Sequence, residues 1–245
     1  MNLSLRQQKI LAAIIKEYAE TVSPVGSKEL ANKYNFKESP ATIRNDMATL
    51  EKLGFITQPH KSAGRVPTDK GYRFFVNELM RRFEISEKER KMLRAQLLNL
   101  QSEYQQLGRK LTTLISEVSG QAAIALLPDQ TSITGMSYLV SNPEMRDDKS
   151  VRQVAELFDH LDRYAPKLLK GAPNKTETFI GGETPLPVPK DLSLVVSSIK
   201  LKGNKKGMIG ILGPKRMAYA KNLSLLEYLS KLISGTAVVL LIIKF

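Results

Sequence analysis

The chain is 245 residues long, which is enough for one large domain or two smaller ones with a core each. It has no cysteine, so disulfides, thiolate nucleophiles and cysteine-ligated zinc are excluded, and the composition fits a cytoplasmic protein. The formal net charge of +13 suggests a polyanionic partner, either nucleic acid or an anionic membrane surface, although a solvated basic surface would carry the same charge.

Residues 1–83 are predicted to form three helices and a hairpin. Apolar residues at helical spacing predict the first helix over 4–18. Ser27 is expected to cap a short second helix that ends near Tyr34, and Ser39, followed by proline at the first helical position, begins the third. Three helices followed by a hairpin are typical of a winged helix-turn-helix domain, although plain structural units can share the helical pattern.

The third helix has two different sides. Ile43, Met47 and Leu50 recur at i, i+4 and i+7 and form one apolar stripe, and Gly54 is placed to end the helix. The opposite side is small and polar near its N-terminus, which suits a helix that lies in the major groove of DNA. The residues on that side are Ala41, Thr42, Asn45, Ala48, Thr49 and Lys52, with Arg44 on the flank.

The segment QPHKSAGRVPTDKGYR, which follows the third helix, predicts the wing. Residues 55–57 and 64–66 predict two strands, and the loop between them is cationic and rich in small residues. Such a loop contacts phosphates and positions the protein, while the helix selects the base sequence. Lys70 and Arg73 start the next helix, where each could contact the DNA backbone or pair with Asp69 or another acid. The residues predicted to bind double-stranded DNA are Ser39, Thr42, Arg44, Asn45, His60, Lys61, Ser62, Arg65, Lys70 and Arg73.

Residues 84–118 are predicted to form a long helical connector. Apolar residues there alternate spacings of four and three over about three and a half heptads, which is the pattern of a coiled coil. The partner of this helix is expected to be the same helix of a second chain, with the C-terminal domain folding back as the alternative. The predicted homodimer interface consists of Leu93, Leu97, Leu100, Tyr104, Leu107, Leu111 and Leu114.

Residues 119–245 mix predicted strands and helices, which indicates an α+β domain with a mostly antiparallel sheet. The segments GQAAIALLP, SITGMSYLV, ETFIGG, LSLVVSSIKL and KGMIGILG predict strands. Residues 147–169 and 224–233 predict helices. The apolar run over 237–243 is too short to span a bilayer and is expected to be a buried strand, with a peripheral membrane anchor as the alternative.

The residue types that catalysis or metal binding would need are scarce. The only two histidines, His60 and His160, are far apart in the sequence, and cysteine is absent. Asp147 and Asp148 are adjacent, so on a helix their side chains would point apart, and a role as charges at a helix N-terminus is sufficient for them. We therefore expect a protein that is not an enzyme and that has neither a cofactor nor a metal.

Four segments closely resemble one bacterial family. They are PVGSKEL, SPATIRNDMATLEKLGFITQPHKSAGRVPTDKGYRFFV, GMSYLVSNPEMRDD and GMIGILGPKRMAYAKNLSLLEYLSKLI, and they are similar to the heat-inducible transcription repressors of the HrcA type. The resemblance implies a winged-helix DNA-binding domain over 1–83 and a GAF-like regulatory domain over 119–245. It also implies a dimer that represses chaperone genes from an inverted-repeat operator, with the GroEL chaperonin as a partner.

The chain departs from that family at one place. Family members have further strands and an inserted helical dimerisation segment after the strand that corresponds to GQAAIALLP, whereas here only DQTSIT separates this strand from GMSYLV. We therefore expect a compact variant with a reduced GAF-like domain, whose dimer depends on the 93–118 seam. The alternative function is a transcriptional regulator that senses a small molecule through its C-terminal domain.

Overall fold

A computed structural model of the chain describes residues 3–34, 36–60, 63–80, 84–100, 106–145, 147–201 and 205–242. The chain divides into two compact units. The N-terminal unit comprises residues 1–81 together with 215–217, and the C-terminal unit comprises 82–214 together with 218–245.

The N-terminal unit contains the helices and the hairpin that the sequence predicts. Its elements are α1 (Leu5–Thr21), α2 (Ser27–Lys33), α3 (Pro40–Lys52), β1 (Ile56–Thr57), β2 (Val66–Pro67) and α4 (Asp69–Phe74), which continues as one wide turn of π-helix (Phe75–Leu79). One boundary needs correction, because Gly26, and not Ser27, is the N-cap of α2. Ser27 is the first residue inside that helix.

The core of this unit lies between α1, α3 and the hairpin. Ile43, Met47 and Leu50 are buried, as their spacing predicts, and they are joined by buried residues of α1 such as Ile10 and Ile14. In the hairpin Ile56 pairs with Pro67 and Thr57 pairs with Val66. The return strand, predicted over 64–66, therefore begins at Val66, because Arg65 forms an isolated bridge with Val25.

The C-terminal unit is a five-stranded antiparallel sheet with helices, which confirms the mixed helix-and-sheet prediction. The strand order is β4-β3-β7-β6-β5, and all neighbouring strands run antiparallel. The elements are α5 (Glu87–Leu100), α6 (Leu107–Ser119), β3 (Ala122–Leu127), β4 (Gln130–Thr134), α7 (Met136–Val140), α8 (Asp148–Asp159), α9 (Leu161–Lys170), β5 (Glu177–Ile180), a short 3₁₀ turn (Gly181–Glu183), β6 (Leu192–Lys200), β7 (Lys206–Pro214) and α10 (Tyr219–Ile242).

Both faces of this sheet are covered. Successive side chains of a strand point to opposite faces, so one strand can contribute to two cores. On one face Ile124, Leu194 and Leu212 pack with buried residues of α7, α8 and α9. The alternate strand residues, such as Ala123 and Val195, are also buried, and α6 and α10 pack against the strands that carry them.

Three predicted elements of this unit differ from the structure. The segment SITGMSYLV is not one strand, because β4 ends at Thr134 and α7 begins after Gly135. The single helix predicted over 147–169 is two helices that meet at His160. The strand predicted for the tail is wrong, since the backbone is helical as far as Ile242, at the end of α10. Across the described part of the chain no helix is both long and apolar enough to cross a membrane.

The heptad seam is divided between two helices of the C-terminal unit. Leu107, Leu111 and Leu114 lie on α6 and are buried, because α6 packs on β3 and β4. Leu93 and Leu97 lie on α5, which contacts α10, and both are buried as well. These five leucines are therefore buried within a single chain, and their assignment to an interface with a second chain stays a prediction. The side chain of Leu100 and the whole of Tyr104 lie outside the described residues.

Gly135, between β4 and α7, is expected to tolerate no side chain. Its φ of +94° is in the left-handed region, and a Cβ would lie 2.4 Å from Ser116 Oγ and 2.9 Å from Ala122 Cα. We expect Gly135→Ala to lower the free energy of unfolding by about 3 kcal/mol, from backbone strain and overpacking together.

The matched control for this variant is Gly120→Ala. Gly120 has a φ of +66°, but a Cβ there would meet nothing within 4 Å. We therefore expect a loss of about 1 kcal/mol, from strain alone. Urea unfolding followed by circular dichroism measures the free energy of unfolding of both variants. Equal losses would show that Ser116 and Ala122 do not exclude a Cβ at position 135.

Candidate nucleic-acid interface

Helix α3 begins at a side-chain cap. The backbone N–H of Thr42 donates to Ser39 Oγ at 3.2 Å, and Pro40 occupies the first helical position, where its missing N–H costs no hydrogen bond. The hydroxyl of Thr42 is 3.0 Å from Ser39 Oγ, so this side chain is also engaged in the cap. The cap fixes the residue at which the outward side of α3 starts.

An ion pair with a buried carboxylate reinforces the apolar contact between α3 and α1. Asp46 is only 6% exposed, and its carboxylate accepts from Arg6 Nε at 2.6 Å and from Arg6 Nη2 at 3.4 Å. The hydrogen bond to this carboxylate raises the pKa of Arg6. Two-pronged contacts of this kind fix orientation as well as distance. The sequence analysis did not predict that Asp46, a charged residue, lies on the inward side of α3.

The opposite side of α3 is solvent-exposed and carries three residues that the sequence predicts to bind DNA, namely Thr42, Arg44 and Asn45. Arg44 and Asn45 are exposed, and Thr42 is half-buried because of its contact with the cap. The other exposed residues on this side are Ala41, Ala48, Thr49 and Lys52. Most of these side chains are small, so the backbone of α3 could approach base edges closely.

Helix α2 is held against α1 by a buried carboxylate that the sequence prediction also missed. Glu17 is 2% exposed, and its carboxylate accepts from Lys33 Nζ at 2.7 Å and from the Tyr34 hydroxyl at 3.0 Å. The hydrogen bond from Lys33 is the largest cause that lowers the pKa of Glu17, and Tyr34 contributes in the same direction. Burial, followed by the bond to Glu17, raises the pKa of Tyr34 to about 12.

The wing consists of residues 58–65, between β1 and β2. Its turn is closed by two hydrogen bonds, from Gln58 Nε2 to Ala63 O at 2.9 Å and from Ala63 N to His60 O at 2.8 Å. His60 is exposed, as expected of a phosphate contact. Arg65 is mostly buried and is paired with Glu51 of α3. The predicted contacts Lys61 and Ser62 lie outside the described residues.

Lys70 contacts the C-terminal end of α3. Its Nζ donates to Leu53 O at 2.7 Å and lies 4.6 Å from the centroid of the Phe55 ring. A cation at this end of a helix stabilises the helix dipole, so Lys70 has a structural partner in its own unit. Arg73 is half-buried on α4. Tyr72 is buried in the core.

Comparison with known proteins assigns the family. A model described as the HrcA protein C terminal domain matches residues 70–223, which is more than half of the chain, and one described as a winged helix-turn-helix transcription repressor, HrcA DNA-binding, matches residues 2–80. The chain belongs to the HrcA family. This membership confirms the resemblance found in the sequence and places the chain among transcription repressors and not among enzymes.

Curated HrcA relatives match either half or nearly all of the chain. The heat-inducible transcription repressor HrcA of Moorella thermoacetica is 47% identical over 130 residues, which is 53% of this chain but only 38% of that protein. The HrcA of Natranaerobius thermophilus is 29% identical over 330 positions, covering 94% of this chain and 96% of that protein. The alignment is longer than this chain's 245 residues. The Natranaerobius relative therefore has segments that no residue of this chain matches.

A solved structure has the same fold as this HrcA chain. It is described as a hypothetical protein and matches with a TM-score of 0.71 and 19% identity, over 95% of this chain and 97% of that one. At this identity the likeness shows the fold alone. It agrees with the architecture of a winged helix and a mixed α/β unit in one chain.

The lowered pKa of Glu17 predicts acid sensitivity of the α1–α2 contact. A carboxyl whose pKa is lowered by folding stabilises the protein above its unfolded pKa, about 4.3, and this contribution is lost as the pH falls through the folded pKa. We expect Glu17→Gln to cost about 1–3 kcal/mol at neutral pH, because a buried charge-assisted bond is lost. The difference from the unaltered protein should vanish in strong acid.

Glu20→Gln is the control for that variant. Glu20 shares the partner Lys33, with 3.3 Å between Lys33 Nζ and Glu20 Oε2, but its side chain is 52% exposed. Exposed ion pairs contribute little, so this variant should stay close to the unaltered protein. Urea unfolding at neutral and acid pH measures the differences. If the cost of Glu17→Gln did not depend on pH, the loss would not come from ionisation of this carboxyl.

Proposed function

We propose that this HrcA-family chain is a sequence-specific transcriptional repressor that binds double-stranded DNA at an inverted-repeat operator. The observation that carries the proposal is the exposed side of α3, on which Arg44 and Asn45 stand among small residues while the other side is fixed in the core. The match of residues 2–80 to the HrcA DNA-binding model supports it.

The proposed contacts divide into those that select sequence and those that position the protein. With α3 in the major groove, Asn45 is suited to the adenine edge and Arg44 to guanine. Ser39 and the N-terminus of α3 would face a phosphate, since helix N-termini attract anions. His60, Lys61 and Ser62 of the wing would contact the backbone beside the helix, with Arg73 as a further backbone contact.

The proposed active form is a homodimer. An inverted repeat presents two identical half-sites related by a two-fold axis, so a symmetric dimer can place one α3 in each. The sequence assigns the two-fold contact to the heptad seam, whose five described leucines are buried within a single chain. Bound at an operator, such a dimer would obstruct transcription of the downstream genes.

The proposed targets are heat-shock and chaperone genes. The relatives from Moorella thermoacetica and Natranaerobius thermophilus are both heat-inducible transcription repressors, which supports this part of the proposal. We propose a reduced GAF-like regulatory role for the C-terminal unit, which the antiparallel sheet with helices on both faces supports, and the GroEL chaperonin as its partner.

The first test is fluorescence anisotropy of the full chain on two labelled duplexes, each measured at two salt concentrations. One duplex is an inverted repeat enriched by the protein from a random library, and the other has the same composition in scrambled order. A preference of about a hundredfold, or ~2.7 kcal/mol, supports the repressor. Equal and strongly salt-dependent binding to both duplexes would contradict sequence-specific recognition.

The assignment of α3 as the recognition helix predicts the effect of Asn45→Ala. Loss of a side chain that reads a base should weaken binding to the enriched duplex by about 1–3 kcal/mol and leave binding to the scrambled duplex unchanged. The control is Asn32→Ala, which removes an exposed asparagine from α2. If both variants kept the original ratio of affinities, Asn45 would have no part in base recognition.

A further inference from the structure

We propose that Arg65 is a positioning residue that fixes the wing to the recognition helix through Glu51, and that it does not contact a phosphate. This inference deepens the proposed function and rests on it. The sequence counted Arg65 among the cations that face DNA. In the structure, the backbone of Arg65 and its side chain both have bonding partners within the N-terminal unit.

The backbone of Arg65 is paired with the segment before α2. Val25 N donates to Arg65 O at 2.9 Å, and Arg65 N donates to Val25 O at 2.9 Å, so the two residues form an antiparallel bridge. The adjacent Gly64 allows this approach, because a Cβ there would lie 2.5 Å from Val25 O and 2.7 Å from Pro24 C. Residues 64 and 65, the returning arm of the wing, are therefore held against the segment that precedes α2.

The side chain of Arg65 spans from the wing to α3. Its Nε and Nη2 atoms each lie 2.9 Å from Glu51 Oε2, in the last turns of the helix. The side chains are only 18% and 32% exposed, respectively, so solvent screens this pair less than an ordinary surface ion pair. A guanidinium offers two donors in a rigid fork, which a lysine could not reproduce.

The pairing changes the expected electrostatic effect of both residues. The guanidinium charge is already balanced by Glu51, so moving Arg65 to a phosphate would leave a partly buried carboxylate without its partner. Glu51 is an acid on the helix that is to approach a polyanion, and taken alone it would repel DNA. We call the ion pair of Glu51 and Arg65 the clamp, because it joins α3 to the wing. As part of the clamp, Glu51 favours DNA binding.

The clamp favours binding by fixing the wing in advance. Bonds at the turn, such as Gln58 Nε2 to Ala63 O, hold the loop internally, but they do not set its angle to α3. The pair of Glu51 and Arg65 does set this angle, because it joins the two elements directly. A wing that is already positioned loses less conformational entropy when it meets DNA.

The test uses the full chain as four proteins: unaltered, Glu51→Gln, Arg65→Gln and the double variant. The probe is a labelled mixed-sequence duplex, and its affinity is measured by anisotropy over a range of salt concentrations. We expect Glu51→Gln to weaken binding about fivefold even though it removes a negative charge, which corresponds to ~1 kcal/mol. The double variant should bind no more weakly than either single variant, because both remove the same clamp.

The salt dependence separates the clamp from a phosphate contact. Loss of one phosphate contact lowers the slope of log affinity against log salt by about 0.9, whereas loss of the clamp should leave the slope almost unchanged for Arg65→Gln. The charge control is Glu38→Gln, which neutralises an acid just before the cap of α3. That variant should bind as well as the unaltered protein or better.

Two results would overturn the clamp: tighter binding by Glu51→Gln, as for the control, or a slope for Arg65→Gln reduced by one contact. If the unaltered protein binds no duplex, the proposed function fails, and the clamp is then judged by urea unfolding of the same four proteins. Coupled losses of stability would support the contact between Glu51 and Arg65, and additive losses would overturn it.

Discussion

Helix α3 buries Ile43, Met47 and Leu50 together with the carboxylate of Asp46, and the other features of the N-terminal unit are arranged around that contact. An apolar stripe alone would allow small rotations of the helix about its axis. The two bonds between Asp46 and Arg6 of α1 oppose such rotation, because they hold one defined side of α3 against α1. The orientation of the exposed side follows from this.

Polar bonds at the periphery of the unit extend the same restraint. Glu17, Lys33 and Tyr34 hold α2 against α1. Lys70 and Thr68 bond to the carbonyls of the two residues that follow α3. Most of these bonds are charge-assisted and join elements that are distant in sequence. In a small domain with a limited apolar core, such contacts help to fix the relative orientation of the helices and strands, because each one restricts the angle between two elements.

The C-terminal unit shows why one sequence pattern can have two structural meanings. The a/d spacing of leucines on α6 would serve a coiled coil, but it serves equally well for a helix that lies on a sheet, since both need one apolar side. Here Leu111 and Leu114 face β3 and β4. The approach is close, since a Cβ on Gly108 would lie 2.7 Å from the side-chain oxygen of Gln130.

The sequence predicts the parts of the molecule that depend on local signals. Ser39 and Pro40 mark the start of α3 because capping involves only neighbouring residues, and the exposure of Arg44 and Asn45 follows from helical periodicity. The ion pairs could not be predicted in this way, since Arg65 and Glu51 are separated by 14 residues and Arg6 and Asp46 by 40. The apolar tail was misassigned because a short apolar run does not distinguish a strand from a helix.

The close approach of Gly64 to Val25 restricts where the length of the wing can vary. Bonds from Gln58 to Ala63 and from Ala63 to His60 close the outer turn, which an insertion could lengthen without altering the paired segments on either side. A shift of one residue in the returning arm would instead place a side chain against the backbone of Val25 and take the guanidinium away from Glu51. Variation in wing length within this fold should therefore be confined to the outer turn, and engineering of a longer wing should begin there.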